Sequence, residues 1–520
     1  MIAGHVRAGA GIRSRCRACK VALPRLPHPA WAGPGIGLRR VLQSVPPMDQ
    51  LSESPATAVH PLLGAASEAE ADRYSGTSIR AGNAIVFLPS GAGSYAQRWA
   101  ALEGAERSID LVSFSMMRDG TTRRLCDLLL RKLRQGVRVR IIVDDAVAWS
   151  TLVGPWLREL QRAGAGVLRY SPIFRDARVA PADGGLLATP KRVVLEKVKH
   201  RFHEKYTVVD GRLAILGGIN WGDKYAYGGI RPKAWRDSDV LLTGPVVADV
   251  RRQFEYDWAL YSELDAAWRR RDHPDLAAAR AGAAAAVDAI ERGAGDRALP
   301  ALAPTGPERI RYVPHKPYDE GKLRMTEQVL LLVRQARRSI HWGCHGIRPP
   351  RLLAEALAAA VARGVEVRLV TNSRPSSRTL MFFGLLGWMY WESSNHFPWL
   401  LEHGIRVFEW QRPGAFHSKN LVIDDVVASV GSYNVASGSC FHHTESNVVV
   451  SGGDFPVAVR KQFEADLADC VELSLETVRK VPPEHQPMRR LLHPRNLLVP
   501  RELRSDGINA DLDAGRYKRL

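Results

Sequence analysis

The stretch AFHSKNLVIDDVVASVGSYN, running from Ala415 to Asn434, holds His417, Lys419 and Asp424 in the spacing His-x-Lys-x4-Asp, followed by Gly431, Ser432 and Asn434. The same spacing occurs earlier in RFHEKYTVVDGRLAILGGIN, with His203, Lys205, Asp210, Gly217, Gly218 and Asn220. The four polar positions keep one offset: 417−203, 419−205, 424−210 and 434−220 each equal 214. A lone His or Lys is most simply a solvated surface residue. Chance does not account for four polar residues repeated at constant spacing.

In each copy a β-rich run, Tyr206 to Val209 or Asn420 to Ile423, follows the Lys and ends at an Asp-containing turn, so each segment reads as a hairpin. His and Lys at i and i+2 of an extended strand project from one face. Asp210 and Asp424 fall on the other parity or in the turn itself. They are expected to hold the hairpin by bonding turn amides or a nearby cation, not to touch a substrate. Asn220 and Asn434 end the return strands, where their amides can point back toward His and Lys.

An imidazole beside a Lys charge and an Asn donor forms an oxyanion site that contains its own nucleophile or acid. Two such half-sites facing each other suit a phosphodiester. Lys205, Lys419, Asn220, Asn434 and Ser432 would bind the phosphoryl oxygens, one His would attack phosphorus, and the other would protonate the leaving oxygen. The lysines supply the charge, so no metal or other cofactor is expected.

These residues resemble the duplicated signature of the phospholipase D superfamily. The first copy, with Gly217-Gly218-Ile219-Asn220 followed by Trp235-Arg236-Asp237, is most similar to the bacterial cardiolipin synthase branch. The resemblance implies an α/β fold of two similar lobes, each a mixed β-sheet flanked by helices, with the active site between them. It implies a phosphohistidine intermediate and a catalytic set of His203, Lys205, Asp210, His417, Lys419 and Asp424. By analogy, His203 is the nucleophile and His417 the acid. In the superfamily each catalytic His is oriented by a carboxylate of the other lobe; the candidates are Asp237 and Glu445, with Asp239 a near alternative to Asp237.

The rest of the chain agrees with a duplicated α/β unit. Its 520 residues favour two domains. Alternating strands and helices run from Ala84 to Val143. Arg338-Ser-Ile-His-Trp342 echoes Arg107-Ser-Ile-Asp-Leu111, and helices at Val250 to Asp257 and Val459 to Asp466 echo each other after the two motifs. The expected organisation is a lobe over 80–270, an Ala-rich helix and linker over 271–307, a second lobe over 308–478, and a basic, Pro-punctuated tail over 479–520. Residues 1–47 carry eight basic side chains and no acidic one, and read as a basic arm or as a start extended beyond a true beginning at Met48.

Lys+Arg of 73 against Asp+Glu of 54 gives a net charge of +19, which favours anionic partners. The six Cys are scattered, as in a reducing compartment. No apolar run is long enough to span a bilayer. The expected partners are therefore phospholipids, phosphatidylglycerol or a relative, reached by a cytoplasmic protein bound peripherally to the inner membrane; no nucleic acid is expected. The apolar run Leu380 to Trp391 is the expected membrane contact, through Phe383, Trp388 and Trp391, with Arg374 and Arg378 meeting anionic headgroups. The expected activity is phosphatidyl transfer to a phospholipid alcohol. A hydrolytic phospholipase D, a nuclease of the same superfamily and a non-enzymatic binding protein are the alternatives.

Overall fold

The computed structural model describes residues 60–170, 200–270, 275–293, 301–317, 322–377 and 387–480. The first lobe contributes β1 (Arg80–Leu88), β2 (Ser108–Ser113), β3 (Arg138–Asp144), β4 (Gly166–Tyr170), β5 (Lys205–Val209), β6 (Leu213–Gly217) and β7 (Asp239–Thr243). The second contributes β8 (Glu308–His315), β9 (Ser339–Gly343), β10 (Glu366–Asn372), β11 (Arg406–Trp410), β12 (Asn420–Ile423), β13 (Val427–Gly431), β14 (Glu445–Ser451) and β15 (Cys470–Glu472).

Within each lobe the order is the same: 4-3-2-5-6-7-1 in the first and 11-10-9-12-13-14-8 in the second, with β15 added at the outer edge. The βα crossovers make β2, β3 and β4 parallel to one another, and likewise β9, β10 and β11, while the motif hairpins join antiparallel. The lobes do not keep separate sheets. β1 pairs with β8 through Arg80↔Ile310 and Asn83↔Glu308, so the fifteen strands among the described residues form one ladder. This pairing covers the edge that each half would otherwise expose.

Local chemistry explains the elements. The helix Gly120–Arg134 starts where Asp119 Oδ1 accepts the Thr122 amide at 3.1 Å, buries Leu125, Leu128 and Leu129 on one face, and ends in Arg131, Lys132 and Arg134, which favour a helix C-terminus. The closing helix of the first lobe is much longer than its repeated core, covering Val246–Arg270, and the Ala-rich segment forms the helix Leu276–Glu291 beside it. Each lobe has its own helix-covered core on the outer sheet face. A third core joins the inner faces of both lobes, with Tyr206, Val208 and Leu216 sharing it with Val422, Val430 and Val448. The motif strands are thus packed against one another from both halves.

Candidate active site

Each hairpin is held by its Asp. Asp210 and Gly211 have φ of 52° and 65°, and Asp424 and Asp425 have φ of 54° and 63°, which is the left-handed pair of a type I′ turn. The Asp210 carboxylate accepts the amides of Arg107 (2.7 Å), Ser108 (2.8 Å) and Glu106 (3.0 Å). Asp424 repeats this with Ser339 (2.6 Å), Arg338 (2.7 Å) and Arg337 (2.7 Å), and adds His60 Nε2 at 2.8 Å. Burial pushes the Asp424 carboxyl up, but the three amides and His60 more than offset it and hold the group below its ordinary range. Both Asp side chains are therefore spent on the turn that precedes β2 or β9. Grouped with the catalytic set in the sequence, they are structural anchors here.

The two lobes meet reciprocally at the histidines. The His203 amide bonds the Thr444 carbonyl at 3.0 Å, and the His417 amide bonds the Arg236 carbonyl at 2.7 Å. The next residue after each carbonyl is a carboxylate. Glu445 Oε2 lies 2.9 Å from His203 Nδ1, and Asp237 Oδ2 lies 2.5 Å from His417 Nδ1. Asp239 is engaged elsewhere: it receives Arg98 at 2.8 Å and Ser94 Oγ at 2.5 Å inside the first lobe. Main chain and side chain thus cross between lobes twice, and Arg236 adds an ion pair to Asp466 at 2.7 Å.

The glycines of Gly217-Gly218 make room for this arrangement. A Cβ on Gly218 would stand 2.2 Å from Asp237 Oδ1, and one on Gly217 would stand 2.3 Å from Asp239 Oδ1. In the second lobe the place of Gly218 is taken by Ser432, whose hydroxyl accepts the Ser446 amide at 3.0 Å and supports Glu445. Ser432 is fully buried, as are Lys205 and Lys419. Asn220 is also engaged, accepting the Ser115 amide at 3.0 Å and donating to Tyr225 Oη at 2.9 Å. Asn434 is half-buried, with its Oδ1 at 3.5 Å from Cys344 Sγ.

The electrostatics follow from burial. Lys205 and Lys419 are enclosed, and each ammonium turns back to the carbonyl of its own motif His. Burial, helped by the charge of Lys419, lowers Lys205 to about 7, and burial lowers Lys419 as well. Burial and the two lysines hold both His203 and His417 well below the usual imidazole range. Burial raises Asp237 to about 7 against the pull of Lys419, and it raises Glu445 against that of Lys205. Burial favours the uncharged form of each imidazole, and each Nδ1 faces a carboxylate, which leaves Nε2 on the side turned away from it.

Two further imidazoles stand beside the pair. His345 packs on His417 with centroids 4.9 Å apart, and His443 lies 5.7 Å from His203. Phe114, at the end of β2, packs on His203 at 4.7 Å, and Trp235 packs on His417 at 5.1 Å. Sequence reasoning missed His345 and His443, because neither belongs to a spaced motif. The available signal was positional: His345 stands in the second lobe where Phe114 stands in the first, six residues beyond Ser339 and Ser108 respectively.

Of the expected membrane residues, Phe383 lies outside the described residues, as does Arg378, and Trp388 is described only as part of the helix Gly387–Ser394. Trp391 is half-buried, with Arg374 over its ring at 5.7 Å. That helix is fixed beside the site by an ion pair of Glu392 with Arg348 at 2.6 Å. Trp399, from the same aromatic group, stacks on His403 at 3.8 Å and packs against the second lobe's core. Among the described residues, no helix is long and apolar enough to cross a membrane.

Comparison with known proteins places these features in context. The family described as "Cardiolipin synthase, PLD-like domain" matches residues 99–258 and 329–467. A cardiolipin synthase of Geobacillus kaustophilus is 26% identical over 396 residues, covering 76% of this chain and 68% of that protein. Cardiolipin synthase A of Pseudomonas entomophila is 28% identical over 409 residues, 77% of this chain and 71% of the relative. The crystal structure of a phosphatidylserine synthase from Haemophilus influenzae superposes with a TM-score of 0.59 at 14% identity, over 82% of this chain and 96% of that one, a likeness of fold.

Proposed function

Because the chain belongs to the phospholipase D superfamily, as an enzyme of the cardiolipin-synthase-like type with its domain present twice, we propose that it moves a phosphatidyl group from one phospholipid to the alcohol of another, forming cardiolipin or a relative. The observation that carries this reading is the reciprocal pairing of His203 with Glu445 and of His417 with Asp237 across the lobes.

The donor's phosphoryl group would sit between Lys205 and Lys419, where its negative charge restores both ammonium groups to full protonation and offsets their burial. Glu445 holds His203 Nδ1–H, so the Nε2 lone pair attacks phosphorus and the bond to the leaving alcohol breaks. With Asp237 as the carboxylic acid hydrogen-bonded to Nδ1, His417 carries its proton on Nε2 and gives it to the departing oxygen while the Asp237 proton moves to Nδ1. In the second half, the acceptor alcohol returns a proton to His417, its oxygen attacks phosphorus and the P–N bond breaks. The short 2.5 Å contact and the raised Asp237 suit a pair that takes and gives protons near neutral pH. His203 and His417 are the catalytic residues in this scheme; Glu445 and Asp237 are positioning residues.

The acceptor is taken to be a phospholipid because the similar relatives are cardiolipin synthases. The protein would reach it peripherally, with the aromatic residues of 383–391 at the interface and the net charge of +19 drawing it to anionic lipid. Product analysis tests the reading: phosphatidylglycerol in mixed micelles should yield cardiolipin and glycerol. Phosphatidic acid as the sole product would indicate hydrolysis, and cleavage of DNA with phospholipid untouched would indicate a nuclease.

A further inference from the structure

The two half-sites differ at one position with chemical consequences. Two residues before each positioning carboxylate stands Trp235 in one lobe and His443 in the other: Trp235-Arg-Asp237 against His443-Thr-Glu445. Both side chains pack on the catalytic imidazole that the carboxylate holds. An indole has no lone pair to offer a metal, whereas a second imidazole does.

His443, His203 and Glu445 bring one nitrogen or oxygen each within 4.8 Å of one another, the one such trio among the described residues. His443 Nδ1 lies 3.9 Å from Glu445 Oε1 and has no hydrogen-bond partner, while Glu445 already contacts His203 Nδ1 at 2.9 Å. A tetrahedral zinc ion with bonds of about 2.0–2.2 Å needs donors roughly 3.3 Å apart; with the His203–Glu445 pair at 2.9 Å and all three donors within 4.8 Å, side-chain rotations would gather the trio around it. The His443 side chain keeps 26% of its surface exposed, while its Nδ1 is buried on the side of Glu445.

We infer that the His203 half-site is an inhibitory binding site for a borderline transition-metal ion such as Zn²⁺, ligated by His203, His443 and Glu445. Two imidazoles and one carboxylate select such ions over Mg²⁺ and Ca²⁺, which prefer all-oxygen shells. A bound ion takes the place of the proton that His203 Nδ1 shares with Glu445, separating the nucleophile from the group that orients it. The other half-site also has a second imidazole, His345 packed on His417 at 4.9 Å, but among the described residues its donors do not converge with Asp237 into such a trio.

The binding claim is independent of the proposed reaction; the inhibition claim rests on it. Protein stripped with EDTA should bind one Zn²⁺ by isothermal titration calorimetry, and His443→Gln and His443→Trp should each weaken that binding by at least about tenfold. Zinc should stop cardiolipin formation by the parent at concentrations that leave either variant active, and Mg²⁺ should have no such effect. Equal zinc binding by parent and variants overturns the inference, whatever the activity. Metal-free parent protein that forms no cardiolipin would instead defeat the proposed reaction, and calorimetry would still read the site. A variant with low basal turnover but a parental circular dichroism spectrum remains informative through the same titration.

Discussion

Replacing Asp237 by Asn removes the carboxylate from the 2.5 Å contact with His417 while keeping the side chain's size. A hydrogen bond to a charged partner contributes about 1.5–3 kcal/mol. At about 1.36 kcal/mol per tenfold, loss of orientation alone should lower kcat by about 10- to 160-fold. If the amide's NH₂ turns toward Nδ1 and imposes the opposite tautomer, the loss should approach the roughly 10⁴-fold seen when a serine-protease triad loses its Asp in the same way. Folding should not suffer in parallel. Burial raises the folded-state value of Asp237 to about 7, above the unfolded value, so ionisation is harder in the folded protein. That group's contribution is most favourable below its unfolded pKa, declines as pH rises toward about 7, and stays low above it. At pH 8 the neutral Asn escapes this cost, and its melting temperature should lie no more than about 2 °C below the parent's. The assay is cardiolipin formation from phosphatidylglycerol under saturating lipid, alongside thermal unfolding at pH 8. A variant with kcat within threefold of the parent would refute the claim that the cross-lobe carboxylate positions His417. A variant that fails to fold would refute the stability reasoning.

His203→Ala and His417→Ala should each abolish turnover without loss of folded protein, as judged by circular dichroism. Asp424→Ala should do the reverse: losing three backbone acceptor bonds should cost about 3–5 kcal/mol in urea denaturation. Because the folded Asp424 lies below its unfolded value, its stabilisation is present above the unfolded pKa and is lost as pH falls through the folded one, so the parent–variant gap should shrink in acid; a constant gap would contradict this. Activity should survive EDTA, and in zinc-contaminated buffer it should rise; complete loss restored by a divalent ion would sink the two-histidine chemistry. Replacing Phe383, Trp388 and Trp391 together by Ser should weaken vesicle co-sedimentation but spare turnover of a short-chain soluble substrate, and unchanged sedimentation would move the membrane contact elsewhere.

The repeated motif made the central strands legible, because strand parity and an Asp turn leave few alternatives for His-x-Lys-x4-Asp. The parity argument also separated Asp210 and Asp424 from the face of His and Lys, and both carboxylates lie on the turn amides. Ser432 stands where the first lobe has Gly218: its hydroxyl accepts the Ser446 amide beside Glu445, a carboxylate one methylene longer than Asp237. The β1–β8 pairing was not legible, since edge strands far apart in sequence carry no local mark of their partner. His345 and His443 escaped because a lone imidazole acquires meaning only through a contact, and theirs are made across turns and across lobes.

The most direct measurement follows the phosphatidyl group itself. Protein reacting with phosphatidylglycerol is quenched in alkali, where phosphohistidine survives, digested and mapped by mass spectrometry. The label should sit on the peptide carrying His203, appear within the first turnover and be absent from His203→Ala. Label on His417, or cardiolipin forming with neither histidine labelled at any time, would contradict the assignment of nucleophile and acid.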